Sequence, residues 1–247
     1  IELLKEQQTS LINQCATKGL DPNVEMKDSG VEWIGEVPKH WRVERLAVLG
    51  SFSKGKNITK SDLIKHGEPV ILYSHLYTTY RRITDSPDFH ISLDRSLEST
   101  KISKNTFLFT SSGESVDEIG KTLLYSGNRD INVGGDVVIF CVKSKEDLYP
   151  EFFSFSFNSD CCQNQKSSMS RGEIIVHIYE KQLREIWVTV PSLSEQVELT
   201  RKLKKYEQIT ERLVDNYNQK INTLKEYSQS LISSAVTGKF RVTEDMV

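Results

Sequence analysis

With 247 residues, 37% of them hydrophobic and 27% charged, the chain can hold one large or two modest domains and has enough apolar side chains for a packed core. The 32 Lys and Arg against 34 Asp and Glu leave a formal charge of −2 and a sequence pI near 6.3, which excludes a uniformly basic, self-sufficient nucleic-acid binder. No apolar run approaches the roughly 18 residues of a membrane span. Cys15, Cys141, Cys161 and Cys162 form no CxxC pair, so neither a zinc chelate nor a disulfide framework organises the fold. There is no secretory leader pattern, and reduced thiols in a cytoplasmic protein are expected. Because Ile1 opens in mid-helix pattern, the chain is expected to be part of a longer one.

In chain order, residues 1–17 place Ile1, Leu4, Leu11, Ile12 and Cys15 at helical spacing, and Gly19 with Pro22 stops that helix. Residues 21–36 are turn-rich and read as a linker docked through Trp33 and Ile34. From about residue 43 to 190 the pattern is short strands and turns, with candidates at Pro69–Tyr73, Thr106–Thr110, Thr122–Tyr125, Val137–Val142, Ile174–Ile178 and Ile186–Val190. A short helix is predicted over Glu151–Asn158, behind Pro150. Strands and helices do not alternate regularly, so the class is α+β, a mixed globular domain.

Ser192 and Glu195 stand at capping-box spacing and open a helix that meets no Gly or Pro until about Val236. Leu203, Tyr206, Leu213, Tyr217, Ile221, Leu224 and Leu231 step along it by three and four or their sums. At about 40 residues and roughly 60 Å, it exceeds what one domain normally needs, so coiled-coil pairing through that stripe is predicted. The expected division is 1–20 as a helix end, 21–192 as the globular domain, 193–240 as the long helix and 241–247 as a tail.

The two ends of the chain repeat each other. With an offset of 220, residues 1–17 (IELLKEQQTSLINQCAT) match residues 221–237 (INTLKEYSQSLISSAVT) at eight of 17 positions. A period that encloses a whole domain implies a parent of the form domain–helix–domain–helix.

Catalytic patterns fail on inspection. Gly113 to Thr122 ends like a phosphate loop, but six residues separate its glycines where four are needed, and a strand-like segment follows. Ser51 to Lys54 fits SxxK without supporting motifs. The five histidines are scattered, and no methyltransferase signature or evident nuclease cluster of carboxylates with lysine is present.

Three polar stretches suit nucleic acid instead. Residues 38–60 carry Lys54 and Lys56 in a flexible basic turn, residues 73–82 hold Ser74, His75, Tyr77 and Arg81, and residues 163–172 hold Lys166, Ser168 and Arg171. Such groups hold phosphates or read base edges. These nine residues are the candidate DNA contacts. No catalytic or metal-binding residue is nominated.

Met26 to Trp41 (MKDSGVEWIGEVPKHW), Val190 to Gln196 (VPSLSEQ), the repeated Leu-Lys-Glu…Ser-Leu-Ile…Thr helix pattern and Ser112-Gly-Glu-Ser…Ile-Gly-Lys121 together resemble the specificity subunits of type I restriction–modification systems. The resemblance covers essentially the whole chain, which looks like the C-terminal half. It implies a non-catalytic subunit whose recognition domain reads one half of a bipartite duplex DNA site. Long conserved helices would set the spacing, modification (methyltransferase) subunits would dock, and a restriction (motor–nuclease) subunit would join. It implies no cofactor of its own; S-adenosylmethionine, ATP and Mg would belong to the partners. Because one recognition domain is present, a homodimer through the long helix is expected. The alternatives are a coiled-coil protein-interaction scaffold, the specificity chain of a related fused restriction–methylation system, and a stand-alone nuclease.

Overall fold

The computed structural model describes residues 1–143, 147–172 and 175–239. Helix α1 (Glu2–Thr17) is followed by a hairpin of β1 (Met26–Asp28) and β2 (Glu36–Pro38), then β3 (Arg42–Arg45), the one-turn helix α2 (Leu46–Leu49) and β4 (Gly50–Lys54). Next come β5 (Leu63–Ile64), β6 (Glu68–Ile71), α3 (Tyr73–Thr78), β7 (Ile83–Thr84), β8 (Phe89–Ile91), α4 (Leu93–Glu98) and β9 (Thr100–Ile102). The centre of the chain supplies β10 (Thr106–Thr110), β11 (Ser112–Gly113), β12 (Thr122–Tyr125), β13 (Ile131–Val133) and β14 (Val137–Val142). The last elements are α5 (Pro150–Ser156), α6 (Asp160–Met169), β15 (Val176–His177), α7 (Glu180–Leu183), β16 (Trp187–Val190) and α8 (Leu193–Val236).

Two compact units are distinguished, Thr9–Lys202 and a smaller one made of Ile1–Gln8 with the chain from Leu203 onward. The larger unit is built on two five-stranded sheets, ordered β4-β14-β10-β12-β7 and β5-β8-β6-β13-β9. Strand β10 is buried at all five positions. Its sequence TFLFT is apolar in a run rather than alternating because both faces of that sheet are covered. On one face Leu108, Leu123 and Ile139 pack with Ile71, Leu76, Ile131 and Val133, so this cluster draws on both sheets. On the other, Phe107, Phe109 and Phe140 surround Phe157, with ring centroids 4.9, 5.7 and 5.9 Å away. Each such aromatic pair adds about 0.5–1.5 kcal/mol beyond its burial.

The two ends of the globular region meet. Strand β3 pairs antiparallel with β16, placing Arg42 opposite Val190 and Arg45 opposite Trp187. The Thr189 hydroxyl donates to the Ala16 carbonyl at the end of α1. Glu195, in the first turn of α8, gathers the rest. Its Oε1 accepts from Trp41 Nε1 at 3.1 Å and lies 2.8 Å from His40 Nε2, while its Oε2 accepts from the Ser192 amide at 3.1 Å and from the Ser192 hydroxyl. The capping box is thus present, and the same carboxylate ties the helix start to the His40-Trp41 segment. Gln196 beside it is fully enclosed and fully used: its amide nitrogen donates to Asp147 and Pro191 carbonyls, and its oxygen accepts from the Tyr149 amide.

The α+β class, the short helix behind Pro150 and the long C-terminal helix agree with the sequence reading, and β10, β12 and β14 have the predicted bounds. Four expectations are corrected. The 21–36 linker contains most of a small hairpin; Ile34 and Val37 are buried within it, but Trp33 is 43% exposed and does not dock. The strand predicted to reach Tyr73 ends at Ile71, and α3 begins at Tyr73. Residues 163–169, read as a polar loop, belong to helix α6. Over the predicted strand Ile174–Ile178 the structure has β15 only at Val176–His177; Ile174 lies outside the described residues, as does the predicted tail 241–247. Helix α8 is a single helix in this chain, and within the smaller unit Tyr206 reaches Gln7 of α1 at 3.4 Å.

The sequence repeat is also a structural one. Thr17 and Thr237 each donate their hydroxyl to the carbonyl four residues back, at 2.8 and 2.7 Å. Gly19 N to Gln14 O and Lys239 N to Ser234 O are the same five-residue backbone bond, and Gly19 and Gly238 adopt φ of 70° and 71°.

Burial acts to raise the Glu195 pKa, but the bonds from Ser192, His40 and Trp41 outweigh it and hold the carboxyl near 2, down from 4.5. The folded state therefore gains stability from this group above its ordinary pKa and loses it as the pH falls toward 2. Glu195→Ala is expected to lower unfolding stability by roughly 1–2 kcal/mol at neutral pH, a figure kept low because the group is partly solvated. In urea titrations at stepped pH, the gap between the two proteins should be full above pH 4.5 and close on the way to pH 2. A gap that is constant with pH would show that the carboxylate charge is not what holds the junction.

Candidate nucleic-acid interface

The basic turn after β4 owes its shape to close backbone approach. A Cβ at Gly55 would sit 1.9 Å from the Gly134 carbonyl oxygen, so only glycine lets this turn lie against the Gly134-Gly135-Asp136 turn. The Gly55 amide donates to Val137 O at 3.0 Å, and Asn57 adopts φ 56°. Lys54 and Lys56 stand exposed on this turn, with Lys60 exposed just beyond it.

Two grooves adjoin the turn. One, of about 270 Å³, is lined by Thr59, Lys60, Tyr73, Ser74, Gly134 and Asp136 among others. The second, of about 330 Å³, includes Lys54, Ser112, Asp136, His177, Tyr179 and Glu180 in its wall. Asp136 borders both, and its carbonyl accepts from the Ser111 amide and hydroxyl at 3.3 and 2.8 Å, which joins the two rims. A larger open groove of about 850 Å³ lies elsewhere, between the 126–128 and 148–151 turns, and contains none of the candidate residues.

The sequence-nominated residues divide into surface and interior. Lys54, Lys56, Arg81, Ser168 and Arg171 are exposed, and Ser74 is half-buried on a groove wall. The Arg171 amide and carbonyl exchange hydrogen bonds with His177 at 3.0 and 2.8 Å. The Ser168 hydroxyl donates to Gln165 O at 2.9 Å.

His75 and Lys166 lie in the interior rather than on the surface expected for DNA contacts, and Tyr77 is half-buried. His75 is 5% exposed and stacks on Phe89 at 3.6 Å, while its Nδ1 accepts from the Leu72 amide. Burial, aided by the charge of Lys60, pushes its pKa down to about 4, so it is a neutral interior ring at neutral pH. Lys166 is fully enclosed, and its ammonium donates to Gly120 O and Phe157 O at 2.9 Å each. Burial lowers its pKa to about 8. Neither group can reach a nucleic acid in this conformation. The half-buried Tyr77 hydroxyl is spent on Thr110 Oγ1 at 2.7 Å and the Ser112 carbonyl at 3.0 Å, and burial raises its pKa.

Helix α6 uses most of its polar side chains inward. Gln163 Nε2 donates to Ile119 O at 3.0 Å, and Ser167 Oγ to Val116 O at 2.6 Å. Gln165 clasps both the amide and carbonyl of Trp187. With Lys166 on Gly120, these groups hold the 113–121 loop in place. The helix was readable from Ser159-Asp160 as a start and from the lack of Gly or Pro until Gly172.

Lys60, Ser112, His177 and Tyr179 line the two grooves and are not among the nine residues nominated from the sequence, although Lys60 belongs to the basic stretch 38–60. The five histidines make no metal-ligand spacing, whereas His177 and Tyr179 stand two apart, on one side of an extended segment. Among the described residues no cluster of His, Cys, Asp or Glu could hold a metal ion, and no helix is long and apolar enough to cross a membrane.

Residues 38–223 match the family described as the type I restriction modification DNA specificity domain. No curated protein matches the chain. Among solved structures, the HsdS subunit from Thermoanaerobacter tengcongensis superposes with a TM-score of 0.59 at 15% identity, covering 97% of this chain and 52% of that one. A chain from a study of complex assembly and conformational transition of the type I R-M system gives 0.65 at 16% identity, covering 97% and 55%. The S subunit from M. genitalium gives 0.51 at 16% identity, covering 87% and 47%. The chain thus spans about half the length of these structures, and at such identities the likeness is one of fold. The match to the family covers most of the chain, and the protein therefore belongs to the type I restriction modification DNA specificity domain family.

Proposed function

We propose that this chain is a non-catalytic DNA sequence-specificity module that reads one half of a bipartite duplex site and docks modification subunits, with a restriction subunit joining the complex in the cytoplasm. Residues 21–192 form the recognition domain in this reading, and the flanking helices carry the spacing and partner contacts. S-adenosylmethionine, ATP and Mg belong to the partners. The observation that carries it is the gathering of Lys54, Lys56, Lys60 and Ser74 around adjoining grooves, with exposed Arg171 bonded through its backbone to the groove residue His177, on a member of a DNA specificity family. The charge of −2 is compatible with it if partners supply much of the phosphate affinity.

A twofold dimer through α8 is part of the proposal. Leu213, Tyr217, Ile221, Leu224 and Leu231 are 37–66% exposed, an uncovered apolar stripe on a helix of 44 residues, or about 66 Å. Leu203 and Tyr206 are withdrawn from it, since Leu203 is buried and Tyr206 meets Gln7. Two copies would then read a palindromic bipartite site. A coiled-coil scaffold shares the stripe but leaves the grooves unexplained.

The test is methyladenine mapping on a mixed-sequence plasmid, with this chain, its modification subunits and S-adenosylmethionine; a single bipartite palindromic motif is expected. Complex formation without sequence-directed methylation would favour the scaffold. Lys54→Ala and Lys56→Ala should weaken DNA binding evenly across sequences and each reduce the salt slope by about 1. Arg171→Ala should cost about 1–3 kcal/mol and relax one base position. Light scattering at tens of micromolar should give a dimer, and a monomer there would remove the twofold arrangement.

A further inference from the structure

The groove of about 330 Å³ beside the basic turn holds the His177 imidazole, on a residue whose backbone and ring are both engaged. The backbone of His177 exchanges both hydrogen bonds with Arg171, and β15 pairs His177 with Ser112 on β11. In the side chain, Nδ1 lies 3.0 Å from Ser112 Oγ. The ring runs parallel to that of Tyr179, with 6.0 Å between centroids and 14° between planes, and Tyr179 is itself 55% exposed. Among the described residues, Nε2 has no hydrogen-bond partner.

This is not a hydrolytic pair. A serine nucleophile is deprotonated by Nε2 while a carboxylate holds Nδ1; here Nδ1 faces the hydroxyl. Nor is the groove a phosphate seat, because Asp136 and Glu180 share its wall with Lys54. Glu180 is partly engaged by Arg184 at 3.4 Å. Hydrogen-bonding walls that carry two carboxylates against one lysine suit a base edge better than a phosphate, and carboxylates themselves accept from cytosine.

We infer that His177 is a specificity-determining residue whose Nε2 bonds a base edge of duplex DNA, with Ser112 holding its ring through Nδ1. The inference rests on the reading of this chain as a DNA-specificity module. The Ser112 hydroxyl can donate to Nδ1, which leaves Nε2–H as a donor toward a purine N7 or O6, or accept from Nδ1–H, which leaves Nε2 as an acceptor for an exocyclic amine. Lys54 and Lys56 can only donate and sit on flexible stems. The held ring loses little freedom on binding, so its single bond discriminates rather than merely attracts.

The experiment maps methyladenine directed by the assembled complex of full-length chain and modification subunits, using wild type, His177→Ala and Ser112→Ala. Relaxation at one base position of the motif is expected for His177→Ala, with sites differing there methylated about tenfold or more faster relative to the cognate site. Ser112→Ala keeps the ring but removes the partner of Nδ1 that orients it, and should change preference at that same position. An unchanged motif, or a loss of rate equal at all sites, overturns the inference. If His177→Ala fails to assemble, the Ser112→Ala map decides on the same criteria. A wild-type complex that directs no sequence-specific methylation removes the underlying reading instead, and the inference falls with it.

Discussion

The Glu195 carboxylate joins two parts of the chain that lie about 150 residues apart in sequence. It caps the first turn of α8, accepts from the indole of Trp41 and sits against His40. Around it, β3 pairs with β16 and Thr189 reaches the end of α1, so the two ends of the globular region are held together. A domain whose chain enters and leaves at one place can be carried on helices without its sheets being pulled open. Gly19 completes the junction: its left-handed backbone stops α1, and a Cβ there would press on the Trp41 ring at 3.2 Å.

The sheets convert that closure into a rigid base for the grooves. Strand β10 is enclosed on both faces, and Thr110 at its end pairs with Val137, next to the Gly134-Gly135-Asp136 turn. Gly55 against Gly134 brings the basic turn onto this turn, while Ser111, just past β10, bonds the Asp136 carbonyl of the same turn. Rigid turns suit recognition because the ordering cost is met on folding rather than on binding.

Polar residues in this domain are used in two ways that composition does not separate. Gln163, Gln165, Lys166 and Ser167 satisfy carbonyls of the 116–120 loop, Phe157 and the Trp187 backbone, and so act as internal struts. Lys54, Lys56 and Arg171 point the same kinds of atoms toward solvent. Burying Lys166 is tolerable because two carbonyls receive its protons and burial shifts it toward neutrality.

The α+β class, the central strands, the long helix and the duplicated helix ends were legible in the sequence, because each depends on local periodicity or on a cap a few residues long. Ser192 with Glu195 is a contact between neighbours, and it was legible. Which polar side chains face a ligand was decided only by tertiary structure. His75 and Lys166 carry the chemistry of a nucleic-acid contact, yet Phe89 covers one and the carbonyls of Gly120 and Phe157 capture the other. His177 looked unremarkable until β15 laid it beside Ser112, 65 residues away. Local sequence encodes the capacity to hydrogen-bond, whereas long-range pairing of strands and loops decides whether a protein group or solvent uses it.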